Sequence, residues 1–457
     1  MLRMKLAIGL AAALSATIPV AHATDVFNLE GFGAISRAMG GTATAHDVGP
    51  AGMLTNPATL SLEQSDRQLM LGLDLVSTDI DVLNQRTGER ASSGSHSNNR
   101  GPYLAPALAF TQRFGDLVIG LGAFARGGLG TEYGSGSFLS RSTGGSDTGL
   151  DNSSRLLVLD IPLAASYRVT EALTVGASVD AIWQGLNLDL LLGADQVGSL
   201  ITQGRATGGL VPTLGGIRGL EGAHFSLTKN RMLDSGVDAW GISGRLGLLY
   251  QLTPATRLGV AYTLKSRVGD MEGDATLTAV SSAGGHIPLR GSIKIRDFQT
   301  PAKLDLGVSQ QLTERWRVAM DVSRVFWKDA MKDIKVAFVA DMGGNLDIRL
   351  PQNYRDQTIV ALGTAYQLSP EWTLRAGARF ASQALRGNTL FAVIPATPTK
   401  HLSFGFSYAV SPRDRIDFAY SHALREKLSN ATLPNTSAPI EVRHSQDNAT
   451  LNYTLSF

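Results

Sequence analysis

The feature that most narrows the fold of this chain is a strict alternation of apolar and polar residues, held over ten or more positions and repeated many times. From Leu157 to Tyr167 every odd position is apolar: Leu157, Leu159, Ile161, Leu163, Ala165 and Tyr167. Leu173, Val175, Ala177, Val179, Ala181 and Trp183 repeat the pattern against Thr174, Ser178, Asp180 and Gln184. Further sets run from Trp240 to Tyr250, Thr256 to Leu264, Leu304 to Val308 and Trp316 to Val322. Period two is the repeat of a strand with two unlike faces. Soluble strands are usually about 5–6 residues long, whereas a tilted strand crossing a bilayer needs about 9–11. The pattern favours an all-β membrane protein over a large soluble sandwich or solenoid.

The two ends of the sequence agree. Leu451, Tyr453, Leu455 and Phe457 alternate with Asn452, Thr454 and Ser456. A strand with such an outer face invites aggregation in water but suits a closed barrel in lipid. An alternating last strand ending in Phe resembles the terminal signature that bacterial barrel-assembly machinery reads. At the other end, Arg3 and Lys5 precede an apolar run from Leu6 to Val20 and the small-x-small triplet Ala21-His22-Ala23, which reads as a secretory leader over residues 1–23. Without Arg3 and Lys5 the 41 basic residues become 39, equal to the 39 acidic ones, so no charge excess points to nucleic acid. With no cysteine, a disulfide framework is excluded.

Very short connections at Gly115-Asp116, Thr170-Glu171, Thr253-Pro254, Thr313-Glu314, Ser369-Pro370 and Ser411-Pro412 join pairs of alternating segments. Between them lie polar or glycine-rich stretches at 80–101, 127–155, 185–236, 267–290, 328–355, 382–400 and 428–441. Six tight turns and seven long loops give a 14-stranded antiparallel transmembrane β-barrel over residues 65–457. Outer-membrane barrels place short turns in the periplasm, so both termini are expected there. Residues 24–64 do not alternate. Their apolar members, Phe27, Leu29, Phe32, Ile35, Met39, Met53, Leu54 and Leu60, argue against a solvated tail, and Asn56-Pro57 reads as a helix start with Asn as N-cap. An N-terminal plug, or hatch, folded into the lumen is the expectation.

The Gly31–Gly41 segment with Ser36-Arg37-Ala38, the triplet Asn56-Pro57-Ala58, the run Gly120-Leu121-Gly122-Ala123-Phe124 leading to Gly128–Tyr133, Tyr354-Arg355-Asp356 and the terminal Asn452-Tyr453-x-x-x-Phe457 occur in this order. Together they resemble the FadL/TodX channels for long-chain fatty acids and aromatic hydrocarbons. The resemblance implies a hatch carrying Arg37, Asn56, Pro57 and Ala58, an outer ligand groove, and a lateral exit through a kinked third strand. In that strand Gly120, Gly122, Gly127 and Gly128 would permit a bulge, and Pro106 in strand two removes a ladder donor beside it. The largest loop, 185–236, is unusually apolar for a loop and offers Leu188, Leu192 and Leu210 to a greasy ligand. By the resemblance, a basic pocket residue would stand at Arg349 or Leu350, with Arg349 able to clamp a carboxylate. Arg257, Lys265, Lys303, Arg317 and Arg379 are expected to pair with Asp305 and Asp321 inside the wall.

The functional expectation is passive uptake of hydrophobic small molecules, long-chain fatty acids first and aromatic or aliphatic hydrocarbons as the alternative. A general porin would not usually begin with a plug. Ser421-His422 and His444-Ser445 sit in no nucleophile motif, so a lipolytic barrel ranks lower still. No cofactor or metal is called for. The partners expected are the ligand, outer-membrane lipid and lipopolysaccharide, and the assembly machinery. A monomer is sufficient.

Overall fold

The computed structural model describes residues 26–94, 102–227 and 235–457. The leader expected at residues 1–23 lies outside the described residues. Strands β1 (Arg67–Asn84), β2 (Tyr103–Phe114), β3 (Leu117–Gly134), β4 (Asn152–Arg168), β5 (Leu173–Gly193), β6 (Val237–Thr253) and β7 (Thr256–Thr263) form one half of a closed wall. The other half is β8 (Lys303–Thr313), β9 (Trp316–Val325), β10 (Gln357–Gln367), β11 (Trp372–Ala381), β12 (Lys400–Ala409), β13 (Asp414–Asn430) and β14 (Ile440–Ser456). Each pairs antiparallel with the next, and β14 returns to β1 through Gln68↔Ser456 to Asn84↔Ile440. The ring therefore has fourteen strands, and all six tight turns lie where the sequence puts them. Among the described residues no helix is long and apolar enough to cross a membrane.

The alternation sorts side chains as expected. Val179, Leu246 and Phe404 are 68, 58 and 56 % exposed on the outer wall, a face that only lipid can cover. Trp372 stacks on Tyr408 with ring centroids 4.6 Å apart near the tight-turn end, while Trp240 and Tyr262 sit towards the other. Such paired girdles mark the two membrane interfaces.

Several stretches read as loops are in fact strand. β5 runs on to Gly193, and Leu220–Ser226 pairs with its last residues. The hairpin Met271–Ser281 with Gly285–Arg296, and the hairpin Asp333–Ala340 with Asn345–Pro351, extend this sheet as a rim above the wall. Apolar residues that look out of place on a loop face inward on a strand, which is why the rim holds the largest hydrophobic core.

Residues 26–63 fill the lumen as a plug built from α1 (Gly33–Ala38) and two 3₁₀ turns, Gly49–Leu54 and Pro57–Leu62. The wall holds it by polar contacts. Arg37, fully buried, lies 3.2 Å from Asp74 of β1 and 3.6 Å from Glu30. Glu30 in turn accepts from the Ser421 hydroxyl and from the Asn448 amide. Burial works to raise the Glu30 pKa, but Arg37, His401 and these donors outweigh it and hold the carboxyl near about 2. Asp321 accepts from the backbone amides of Ala43 and Thr44 at 2.8 and 3.0 Å and from the Thr44 hydroxyl. The expected wall pairing is thus corrected: Lys303 meets Asp305 at 2.9 Å, but Asp321 anchors the plug. Arg257 and Arg317 donate to Gln251 and Gln311, and Lys265 to the Asp329 carbonyl.

Asn56 does more than cap its turn. Its side-chain oxygen accepts from Ala58 N at 3.1 Å, and its amide donates to Thr44 O at 2.7 Å and to Leu248 O of the wall at 3.1 Å. Asn56→Ala should cost about 1–3 kcal/mol, the penalty for leaving buried partners unmade. Uptake should change while the barrel still assembles, read as solute uptake at matched surface level. Unchanged uptake would remove Asn56 from the hatch mechanism.

Where the plug meets β1, burial pushes the Glu63 carboxyl up to about 8, against the Thr111 hydroxyl bonded to it at 2.7 Å. A carboxyl whose folded pKa is raised binds its proton more tightly in the folded state. That state therefore loses stability relative to the unfolded one as pH rises from about 4.5 to about 8. In urea unfolding of the purified barrel in detergent this carboxyl should contribute a fall in stability from pH 5 to pH 8, set against the opposite contribution of the buried His46, whose pKa is lowered to about 4. Glu63→Gln should remove that part of the slope.

Candidate functional site

Three linked cavities run from the long-loop end of the barrel to its wall. The outermost lies between the rim and the loops after β1, β3, β11 and β13, with Leu190, Phe391 and Val393 in its apolar floor. Those same three residues line a second cavity, wholly apolar in exposed surface, with Leu188, Val336 and Leu350 around it and Phe27 at its base. A small satellite shares Leu188, Leu190 and Leu350 and adds Leu192. Leu129 and Leu156 then pass from the second cavity into a third, at the β2–β3 seam.

That seam is open. β2 and β3 pair only from Phe114↔Leu117 to Ala107↔Phe124. Beyond this point Tyr103–Pro106 stay with β1, and β3 turns inward. The register against β4 slips between Ala125 and Gly127, so Arg126 is an extra residue, a β-bulge. The plug supplies the missing ladder partner: Gly128 N donates to Phe27 O at 2.7 Å, and Leu29 N to Arg126 O at 3.3 Å. Tyr103, Leu104 and Ala105 on one lip and Ala125, Gly127 and Gly128 on the other line the third cavity, with Val26, Asn28 and Glu30 of the plug inside. Gly127 must be glycine here, because a Cβ would drive into the Phe27 carbonyl.

The bulge is braced from behind. Arg126 lies 3.3 Å from Asp160, which also meets Arg245 at 2.8 Å; Arg245 meets Asp180 at 2.7 Å. Phe27 packs its ring edge-on to Trp327 at 5.6 Å and beside Phe298 at 6.1 Å. One residue therefore forms the base of the apolar cavity with its ring and holds the wall with its carbonyl.

The residues expected to form the site divide cleanly. Leu188, Leu192 and Leu350 line the apolar cavities, and Gly127 and Gly128 the seam. Gly120 and Gly122 do not belong to the opening. They lie in the regular part of the β2–β3 ladder, opposite Thr111 and Ala109, and leave room for Met53 of the plug. Leu210 is buried against Gly344 of a rim hairpin, outside these cavities. Arg349 is exposed: on the strand Asn345–Pro351 its neighbours Ile348 and Leu350 point inward, so period two turns it out, and it cannot clamp a ligand in the cavity. Among the described residues, no lysine or arginine lines the second cavity or its satellite. Phe27 and Pro395 carried no legible motif.

On the other side of the plug the lumen is polar. His46, Asp47, Gln311, Arg315, Arg317 and Arg375 line the space there, beside Ile35 and Met39 of the plug.

This geometry can be set beside known proteins. The model of the Outer membrane protein transport protein family (OMPP1/FadL/TodX) matches residues 12–456. The chain belongs to the OMPP1/FadL/TodX family. It is an outer-membrane β-barrel of that transport family. The crystal structure of the P. putida toluene transporter TodX is 46 % identical, with a TM-score of 0.85 over 94 % of this chain and 99 % of that one. That of the Ralstonia pickettii toluene transporter TbuX is 49 % identical, with a TM-score of 0.81 over 94 % and 99 %. Outer membrane protein P1 of Haemophilus influenzae is 26 % identical over 416 residues, 86 % of this chain and 84 % of that protein.

Proposed function

We propose that this family member is a passive outer-membrane channel for uncharged hydrophobic molecules, aromatic hydrocarbons foremost, which it releases sideways into the bilayer. The observation that carries the reading is the run of apolar cavities that ends at an opening in the wall and not at the far mouth of the barrel. Solutes of this kind cross the sugar-rich outer leaflet poorly, so an apolar path through it suffices for uptake without an energy source. The long-loop end faces outward and both termini face the periplasm, as the short-turn geometry of such barrels implies.

Ligand collects among the loop ends, moves into the cavity above Phe27, and displaces that ring. Because the same residue holds Gly128, displacement loosens the plug from the bulge and widens the seam. The space beneath the plug is lined mainly by polar and charged side chains, three of them arginines, which favours the wall as the way out. A long-chain fatty acid would need a cation for its carboxylate. The exposed Arg349 does not provide one, and the Glu30 carboxylate beside the exit disfavours an anion there. Similarity to the two toluene transporters leans the same way.

Radiolabelled toluene and oleate uptake would be compared in an outer-membrane host lacking its own channel of this kind, with and without the protein. A gain for toluene alone is expected. Oleate uptake of equal size would move the reading to fatty acids, and no gain for either with folded protein at the surface would end it.

A further inference from the structure

The exit cavity is not uniformly apolar. His444 of β14 is 6 % exposed and is among the residues that line that cavity. Its Nδ1 stands 2.7 Å from the Pro395 carbonyl oxygen. A carbonyl oxygen only accepts, so Nδ1 carries the hydrogen and donates it. With no carboxylate bonded to it, the buried ring is a neutral imidazole, and its Nε2 is an acceptor. Nε2 is buried and has no hydrogen-bond partner in the protein. Buried polar atoms are satisfied in the great majority of cases, so this unmet acceptor beside a ligand path calls for a donor that the ligand brings as the lining shifts to admit it.

The neighbours narrow the choice of donor. Glu30, on the same cavity, is an ionised carboxylate already engaged by Ser421, Asn448 and Arg37, and it repels a second anion. Most of the remaining lining is aliphatic or backbone, with Leu104, Leu129, Leu156 and the glycines at the seam, and its other polar side chains, Asn28, Thr78, Tyr103, His401 and Gln446, carry no net negative charge. A fitting guest has an apolar body and one neutral hydroxyl. We propose that the exit cavity holds a subsite for hydroxylated aromatic molecules, phenols above all, in which His444 Nε2 accepts the ligand's hydroxyl hydrogen. This rests on the reading of the cavity as part of a ligand path, and extends the substrate class from plain arenes to their phenols.

The test uses full-length protein purified in detergent and equilibrium binding of two shape-matched probes, p-cresol and p-xylene, which differ by hydroxyl against methyl. The cresol-to-xylene affinity ratio should fall roughly three- to tenfold in His444→Phe, the worth of one neutral hydrogen bond, and His444→Gln should recover part of it. In the unaltered protein 4-methylanisole, which keeps the oxygen but has no hydrogen to donate, should lose the cresol advantage without any mutation. This arm stands whatever the variants do to folding. A ratio unchanged in His444→Phe, or 4-methylanisole binding as well as p-cresol, overturns the subsite while p-xylene binding leaves the channel reading intact. Failure of the folded wild-type protein to bind any of the three overturns both.

Discussion

Deleting Arg126 should give a barrel that assembles normally and no longer delivers its solute. Ala125 faces Leu159 and Gly127 faces Val158, so removing the one residue between them makes the β3–β4 ladder regular from Leu117 through Glu132, and only the second slip, between Glu132 and Gly134, is left beyond the exit. A straightened β3 would run beside Tyr103–Pro106 of β2 instead of turning in to the plug, and the lips of the exit cavity would meet. The fold can spare the side chain, because Asp160 keeps its 2.8 Å partner Arg245. Toluene uptake should drop to the level of cells without the channel. Binding of the same molecule by the purified protein should persist, since the second cavity is untouched. If uptake survives with the ladder regular, the molecule leaves by some other route.

The second large effect is on stability. Arg245 has no exposed side-chain surface and joins Asp160 on β4 to Asp180 on β5, both equally buried. Arg245→Met keeps the length of the side chain and removes the charge. Asp180 is then left with the Ser178 hydroxyl at 2.8 Å and no bonded cation. Breaking a buried pair from one side costs about 3–5 kcal/mol, and here the loss falls on three adjacent strands. The variant should unfold at distinctly lower temperature or urea concentration, read by the shift in gel mobility between folded and heated barrel. A companion change of Asp180→Asn should recover part of the loss, because it removes the stranded charge. If Arg245→Met unfolds like the wild type, the triad is not holding the wall.

How much of this was open to a reader of the residues follows from which interactions are local. The strand number came from turns such as Gly115-Asp116 and Ser411-Pro412, where chain reversal is written into a few neighbouring positions. The cap at Asn56 is local too, and its bond to Ala58 is where the dipeptide with Pro57 puts it. The bond from Asn56 to Leu248, by contrast, spans 192 positions, and no spacing rule reaches that far. The same holds for Asp321 and the amides of Ala43 and Thr44. The bulge was half legible: a glycine cluster in strand three pointed to irregularity, but Gly120 and Gly122 serve the plug and Gly127 and Gly128 the seam. Composition alone cannot divide them. Arg349 could have been placed outside from Ile348 and Leu350, had the stretch been read as a strand and not as a loop.

The seam between β1 and β14 carries a consequence for how the protein is made. It pairs seventeen positions, and it joins the stretch from residue 68 to that from 440, so nearly the whole chain must be in hand before the ring can shut. Until then every partial product has two bare edges, each able to recruit a strand from another molecule. Contacts so distant along the chain form slowly on their own. The pairing that closes the cylinder is therefore the last one the chain can complete, and its two ends are the edges that stay open longest.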